Sequence, residues 1–286
     1  MQIGICSFSF HRLLAAGKQD IFQYIIDCKE LGCTQLDPWN AHLSPIAVGD
    51  KVIQAGHNPD QSNFLNAADE DYISKVRAAA DKSGLPFGCI AVDGAHIYDA
   101  KPEVRAANRA RAYRWIDVAH KLGAKTIRVD TGGPKFEPGA PINLPDDVFK
   151  IIVEGYNDII ARAKAKNISV VVENHWGPTV IPDLVIKFLD AIPQLGFLHD
   201  LHNWRPDLKQ EGRVKLAKRT DCMHIKTFEF DKDGNESSGE DVPGGVKLLL
   251  DAGFNGVWGV ESCPKDGDEI GAARKTIALL KKLAKK

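Results

Sequence analysis

The sequence predicts one α/β domain, a (β/α)8 barrel in which eight parallel strands alternate with eight helices. Short apolar runs rich in β-branched residues recur along the chain, and an amphipathic stretch follows each of them. Strict alternation of this kind favours a parallel sheet. A chain of 286 residues also lies within the range that a single barrel occupies, so all of residues 1–286 are assigned to it.

The predicted strands are too short for buried helices and are typical of strands covered on both faces. They lie at residues 3–6, 34–36, 87–92, 126–129, 169–172, 196–199, 222–225 and 257–260. The predicted helices have apolar residues at three- and four-residue spacing. They lie at residues 20–31, 69–83, 102–122, 146–166, 182–191, 207–218, 244–252 and 269–282.

A doubly wound open sheet is the structural alternative. Such a sheet is expected to carry a glycine-rich phosphate loop after its first strand, whereas residues 7–11 read Ser-Phe-Ser-Phe-His. The closed barrel is therefore preferred. Residues 40–67 are rich in Asn, Ser, His and Pro and exceed the length of a typical barrel loop. They are predicted to form an insertion over the C-terminal mouth, either as a lid or as a plain surface excursion.

Charge and cysteine content limit the classes of partner and compartment. With 37 basic and 38 acidic residues, the chain has no overall field that would attract nucleic acid or an anionic membrane. Its six cysteines form no C-x-x-C pair, which indicates reduced thiols in the cytoplasm. No leader or membrane-spanning apolar run is visible. We expect a small-molecule substrate and leave open whether the chain forms a homo-oligomer.

Polar residues at the ends of the last four predicted strands are the main functional signal, because the catalytic groups of barrels lie there. Glu173 follows three valines, and Asp200, His224 and Glu261 occupy equivalent positions on the next three strands. Each residue alone is also typical of a salt-bridged core or a helix cap. Their separations of 27, 24 and 37 residues each match one β/α unit, so neighbouring strands should direct all four toward one axis.

A divalent metal ion is predicted at this point. Three carboxylates and an imidazole in a semi-closed mouth would otherwise repel one another or stay unused, because like charges in a low dielectric raise one another's pKa. Oxygen-rich ligation with one nitrogen suits Mn²⁺, with Mg²⁺, Co²⁺ or Zn²⁺ as alternatives. The predicted ligands are Glu173, Asp200, His224 and Glu261.

A polar, sugar-sized pocket is predicted around the ion. Trp39, Trp176 and Trp204 offer flat apolar walls for a sugar ring. Individually, most of the candidates are just as typical of ordinary loops. The candidate substrate-binding residues are His11, Trp39, Asn40, His96, His175, Trp176, His202, Asn203 and Lys226, and the acidic residues near other strand ends are Asp37, Asp93 and Asp130.

Four short motifs give the chain a family resemblance. They are E-N-H-x-G at residues 173–177, D-x-x-N at 200–203, H-x-K at 224–226 and V-E at 260–261. With them the whole chain resembles the xylose isomerase-like TIM-barrel superfamily of sugar-phosphate isomerases and epimerases, ketose 3-epimerases, inosose dehydratases and hydroxypyruvate isomerases. The resemblance implies that the four predicted ligands bind the metal and that Glu173 and Glu261 also move protons.

Two positions depart from the ketose epimerase pattern. Asn203 stands where those enzymes usually carry a histidine, and Lys226-Thr227-Phe228 stands where a substrate-gripping arginine follows the metal-binding histidine. The resemblance implies sugar isomerisation or epimerisation by proton abstraction next to a carbonyl, through an enediolate. The alternative is a metal-dependent lyase or dehydratase acting on keto-sugars or 3-keto-glycosides, including C-glycoside deglycosidase activity. An endonuclease IV-like nuclease and a non-catalytic sugar-binding barrel are less favoured.

Overall fold

The computed structural model describes residues 1–44 and 69–285. Most of the insertion predicted at residues 40–67 therefore lies outside the described residues. Its first residues form a short 3-10 helix, Asn40–Leu43. No helix among the described residues is long and apolar enough to cross a membrane.

Seven parallel strands form one curled sheet in the order β1-β7-β6-β5-β4-β3-β2. Each strand is short, and nearly all its residues are buried, as expected for strands packed on both faces. The strands are β1 Gln2–Ile5, β2 Cys89–Val92, β3 Thr126–Val129, β4 Ser169–Glu173, β5 Gly196–Asp200, β6 Cys222–Thr227 and β7 Val257–Ser262.

The strand predicted at residues 34–36 does not form a regular ladder, which corrects the sequence-based assignment. The segment still lies between the two edge strands, because isolated parallel bridges join Cys6 to Asp37 and Leu36 to Phe87. Pro38 has no N–H to donate, and the Asp37 carboxylate accepts the Cys89 N–H at 2.7 Å in place of a backbone partner. The register also shifts by one residue between the bridges Leu36–Phe87 and Trp39–Ala91, so the ladder is interrupted here, while the segment completes the TIM barrel.

Nine helices occur in the described ranges and surround the sheet. Eight of them match the predicted helices, and the short α1 was not predicted. Asp20, Asp69, Asp241 and Asp268 cap helices by accepting N–H bonds from their first turns. The helices are α1 His11–Ala15, α2 Ile21–Glu30, α3 Glu70–Ser83, α4 Pro102–Leu122, α5 Asp146–Lys164, α6 Pro182–Ala191, α7 Lys209–Leu216, α8 Val242–Asp251 and α9 Glu269–Leu283.

Two apolar layers hold the strand ends in place. A large cluster fills the space between helices and sheet, and a small one, containing Cys89, Val171 and Leu198, fills the barrel interior. Buried tyrosines tie helices to the strands: the Tyr24 hydroxyl donates to the Ile5 carbonyl at 2.7 Å, and that of Tyr156 donates to Val129 at 2.6 Å. The C-terminal ends of β1 and β3 are therefore anchored by hydrogen bonds as well as by packing.

The buried imidazole of His199 makes the stability of the barrel depend on pH. Burial, assisted by the charge of Arg213, lowers the pKa of His199 to about 3. Its Nε2 accepts from the Trp204 indole at 3.1 Å and its Nδ1 pairs with the Thr220 hydroxyl. The neutral ring therefore suits the folded state.

We expect the free energy of unfolding to fall as the pH drops below about 6.5, since only the unfolded chain then protonates His199. The loss should be about 1.4 kcal/mol per pH unit, or about 2 kcal/mol between pH 6.5 and 5. His199→Gln should reduce the fall by that amount in urea unfolding curves. His120→Gln, at an exposed histidine, should keep the wild-type slope. Equal slopes for His199→Gln and wild type would contradict the assignment.

Candidate metal centre and substrate pocket

Four residues from four adjacent strands converge at the C-terminal mouth of the barrel. Glu173 ends β4 and Asp200 ends β5, while His224 is the third residue of β6 and Glu261 is the fifth residue of β7. All four are buried, and their ligand atoms lie within 4.8 Å of one another. The register explains this convergence, since Asp200 pairs directly with His224 on the neighbouring strand.

The donor atoms of this cluster fit a divalent cation. Nδ1 of His224 lies 2.8 Å from Oε2 of Glu261 and 3.4 Å from Oε1 of Glu173. Two buried atoms, Asp200 Oδ2 and His224 Nδ1, make no hydrogen bond of good geometry with the described residues. Buried polar atoms left in this way are uncommon; six occur among the described residues, and these two belong to the four-residue set. Carboxylate oxygens with one imidazole nitrogen are suitable donors for ions such as Mn²⁺.

The ionisation of the cluster reflects its crowding. Burial and the negative charges of Glu261 and Glu173 raise the pKa of Asp200. Burial acts to lower the pKa of His224, but the close approach of the Glu173 and Glu261 carboxylates raises that pKa to about 10. Without a bound metal ion, the imidazole thus carries a proton that helps to compensate the carboxylates. A divalent ion would replace this proton.

Lys226 lies inside the same cluster. Its Nζ is 3.1 Å from Asp200 Oδ2 and 3.1 Å from Glu261 Oε1, and it donates to Asn203 Oδ1 at 2.8 Å. Asn203 in turn donates to Glu173 Oε1 at 3.4 Å. Lys226 therefore pairs with two of the predicted metal ligands as well as lining the cavity.

Arg128 is a site residue that the sequence analysis missed. It lies on β3, almost completely buried, with its Nε 3.1 Å from Glu173 Oε2. Its Nη1 donates to Asp93 and Asp130, each at 2.7 Å. The available signal was a charged residue inside the apolar run Thr-Ile-Arg-Val, which only a buried partner can accommodate.

A second acidic group adjoins the first. Asp93, Asp130 and His175 also bring ligand atoms within 4.8 Å of one another. The guanidinium of Arg128 already pairs with both carboxylates, and His175 Nδ1 lies 3.1 Å from Asp130 Oδ2. This group is therefore best described as an ion-paired network that supports the pocket.

That network orients two aromatic walls. The Trp39 indole donates to Asp93 at 2.8 Å, and the Trp176 indole donates to Asp130 at 3.1 Å. Both rings line a cavity of about 340 Å³ that opens onto Glu173 and Glu261. This volume lies in the range of about 300–1,000 Å³ found for small-molecule sites.

The other predicted substrate residues are distributed around this cavity. Trp39, His175, Trp176, Asn203 and Lys226 line it. His96 lines a neighbouring cleft instead, and His202 pairs with Glu240 at 2.6 Å.

Three predicted residues are used in packing. His11 stacks on Phe8 with ring centroids 4.4 Å apart and bonds the Phe8 carbonyl. The Asn40 amide bonds both backbone groups of Asp93, and Trp204 packs beside His199. These side chains support the mouth of the barrel without lining the metal-site cavity.

Comparison with solved structures gives similar folds at low sequence identity. An L-ribulose 3-epimerase has a TM-score of 0.71 at 15% identity, covering 100% of this chain and 96% of that chain. The 3-keto-D-glucoside 4-epimerase of E. coli has a TM-score of 0.65 at 16% identity, covering 92% and 95%. A probable 3-DHS dehydratase from Bacillus anthracis, involved in petrobactin synthesis, has a TM-score of 0.68 at 11% identity, covering 98% and 99%.

Sequence comparison gives a family but no individual relative. No curated protein sequence matches the chain. The family model described as xylose isomerase-like TIM barrel matches residues 47–283. Because this match spans most of the chain and agrees with the barrel described above, the protein belongs to the xylose isomerase-like TIM barrel family.

Proposed function

We propose that this protein is a divalent-metal-dependent sugar isomerase or epimerase that removes a proton next to a carbonyl. The observation that carries the proposal is the convergence of Glu173, Asp200, His224 and Glu261 beneath a cavity with two tryptophan walls. Structures of similar fold include two sugar epimerases, which supports a sugar as the substrate. With its six cysteines free, the protein is proposed to act in the cytoplasm.

The metal ion is proposed to be held by these four residues, with Mn²⁺ as the first candidate. When bound, it supplies Lewis acidity that polarises a carbonyl and acidifies the neighbouring C–H bond. The protein's own groups then hold the sugar. Asn203, Lys226 and His175 face the cavity and are proposed to bind its hydroxyls, while Trp39 and Trp176 pack against its ring.

Glu173 and Glu261 are proposed as the groups that move protons. They lie on β4 and β7, with β5 and β6 between them, so a sugar bound in the cavity would meet one carboxylate on each side. Arg128 holds one oxygen of Glu173, and Lys226 and His224 hold Glu261. These positive neighbours lower the pKa of both glutamates despite burial, so each is ionised. A low pKa also makes each glutamate a weak base, so the proposal requires the bound metal to acidify the C–H bond from which it takes the proton.

Elimination from a keto-sugar or a 3-keto-glycoside is the second candidate, and His175 favours it. A leaving group needs a proton donor, and His175 lines the cavity beside the carboxylates. Although burial opposes it, pairing with Asp130 and Glu173 raises the pKa of His175, which favours the protonated ring. A dehydratase is among the structures of similar fold.

Replacing a proposed ligand should weaken metal binding. His224→Ala removes the single nitrogen donor and should lower the affinity for Mn²⁺ by about tenfold or more, measured by calorimetric titration. His120→Ala serves as the control at an exposed histidine and should bind Mn²⁺ like the wild type. Far-UV circular dichroism checks that both variants fold. Unchanged Mn²⁺ affinity in a folded His224→Ala protein would remove this residue from the proposed ligand set.

Proton transfer should be visible as isotope exchange. In D₂O, a substrate should acquire solvent deuterium at the carbon next to its carbonyl, followed by NMR across a panel of ketoses, inososes and 3-keto-glycosides. Glu173→Gln and Glu261→Gln should each abolish uptake on at least one face. Glu70→Gln, at an exposed glutamate on α3, should leave the exchange unchanged. Turnover with full retention of the original hydrogen would indicate a hydride shift and contradict both assignments.

The indole of Trp176 should contribute to binding more than to chemistry. Trp176→Ala removes a ring face worth about 0.5–1.5 kcal/mol, so we expect KM to rise about three- to tenfold. The value of kcat should change less than KM. Steady-state kinetics with the substrate found in the exchange panel gives both constants. A fall in kcat at constant KM would contradict the role of a binding wall.

A further inference from the structure

A second cleft adjoins the metal-site cavity and shares one wall with it. Its volume is about 650 Å³, and it is formed by the loops that follow β2, β3 and β4. Trp176 lines both spaces: its indole N–H donates to Asp130 at 3.1 Å on the side of the metal site, and its ring also faces the cleft. The ring of His96 contacts the Trp176 ring edge-on, and the centroids of the two rings lie 6.0 Å apart.

The loops around this cleft pack closely against one another, so the cleft has a defined shape. Gly132 has a φ of +64°, and a Cβ there would lie 2.3 Å from the Tyr98 carbonyl oxygen. Gly177 has a φ of +55°, and a Cβ there would lie 2.9 Å from the Gly132 carbonyl oxygen. Backbone hydrogen bonds from Ile97 and Tyr98 to the β3 loop reinforce the contact. Glycine at these positions lets the three loops meet and fixes the shape of the cleft.

The surface of the cleft suits an uncharged ring. Tyr98, Pro134, Pro145 and Trp176 supply flat apolar faces, and Asn143 supplies an amide at the edge. The charged lining residues are one acid, Asp99, whose carboxylate accepts the Lys101 N–H, and one base, the exposed Lys135. Flat rings pack well on such faces, whereas an anion would find no cluster of cations here.

We propose that this cleft binds a second, uncharged ring that is joined to the sugar held above the metal site. The substrate would then be a glycoside, with its sugar in the metal-site cavity and its aromatic or sugar substituent beyond Trp176. This inference rests on the proposed function, because it places the reacting sugar next to Glu173 and Glu261. It narrows the substrate class from a free monosaccharide to a two-ring compound.

The test compares three glucosides and one isolated ring. Calorimetric titration of the Mn²⁺-loaded protein would use methyl β-D-glucopyranoside, phenyl β-D-glucopyranoside, cellobiose and phenol. Asn143→Trp and, on the other loop segment, Lys135→Trp fill the cleft from exposed positions outside the metal site. Ile142→Trp is the matched control, since Ile142 is exposed and is not part of the cleft lining.

We expect the wild type and Ile142→Trp to bind at least one of the two-ring compounds about tenfold more tightly than the methyl glucoside, equivalent to about 1.4 kcal/mol. Either filling variant should remove that difference and leave the affinities for the methyl glucoside and Mn²⁺ unchanged. A gain with the phenyl glucoside alone identifies an aromatic substituent, and a gain with cellobiose alone identifies a second sugar. Equal affinities for all three glucosides in the wild type would overturn the inference.

Failure of the proposed function would look different. If no glucoside binds, phenol decides the fate of the cleft: phenol binding that is lost in Asn143→Trp and kept in Ile142→Trp supports the cleft. Absence of phenol binding in that case overturns the cleft. The deuterium-exchange panel, whose substrates carry the carbonyl that alkyl and aryl glucosides lack, decides the proposed function separately. Binding of the methyl glucoside with no advantage for either two-ring compound keeps the proposed function and rejects the cleft.

Discussion

The concentration of negative charge at the buried mouth of the barrel is the constraint on which the rest of the site depends. Five buried carboxylates meet there, from Asp93, Asp130, Glu173, Asp200 and Glu261. Arg128 serves the first three and Lys226 the last two. Such charges are tolerated away from water only when each has an opposite partner. Arg128 thus anchors the half of the mouth that supports the aromatic walls, Lys226 pairs within the half that holds Asp200 and Glu261, and Glu173 joins the two halves.

The parts of the site that follow from strand periodicity could be predicted from the sequence. Glu173, Asp200, His224 and Glu261 recur once per β/α unit, and parallel strands place equivalent positions at one end of the barrel. The network around Arg128 could not be predicted in this way. Its partners come from loops after different strands, and their pairing depends on side-chain reach across the barrel rather than on sequence spacing. The sequence predicted Lys226 as a residue that lines the pocket, but its ion pairs with Asp200 and Glu261 could not be predicted, for the same reason.

The fold was predicted most reliably where pattern and length agreed. Long amphipathic helices such as α4 Pro102–Leu122 match their predicted limits, because periodicity over several turns leaves little ambiguity. The short α1 His11–Ala15 was missed, since five residues give no periodic signal. The segment at residues 34–36 was assigned as a strand from its composition, although Pro38 and the Asp37 side chain change its hydrogen bonding. Local composition does not reveal that a side-chain carboxylate, rather than a backbone carbonyl, accepts the hydrogen bond of the neighbouring strand.

The carboxylate of Asp37 also restricts which residues can evolve on the neighbouring strands. It occupies the barrel interior, where burial raises its pKa to about 6, and two glycines leave the space it fills. A Cβ at Gly4 would lie 1.7 Å from Asp37 Oδ2, and one at Gly88 would lie 2.4 Å from Oδ1. An alanine at Gly4 therefore requires the Asp37 side chain to move or to be replaced by a smaller one, and an alanine at Gly88 requires the same of Gln35 as well, because a Cβ there would lie 2.0 Å from Gln35 Nε2. Positions 4, 37 and 88 are distant in the sequence, but the residue at position 37 determines which residues are tolerated at the other two. The order in which substitutions occur at these positions therefore matters.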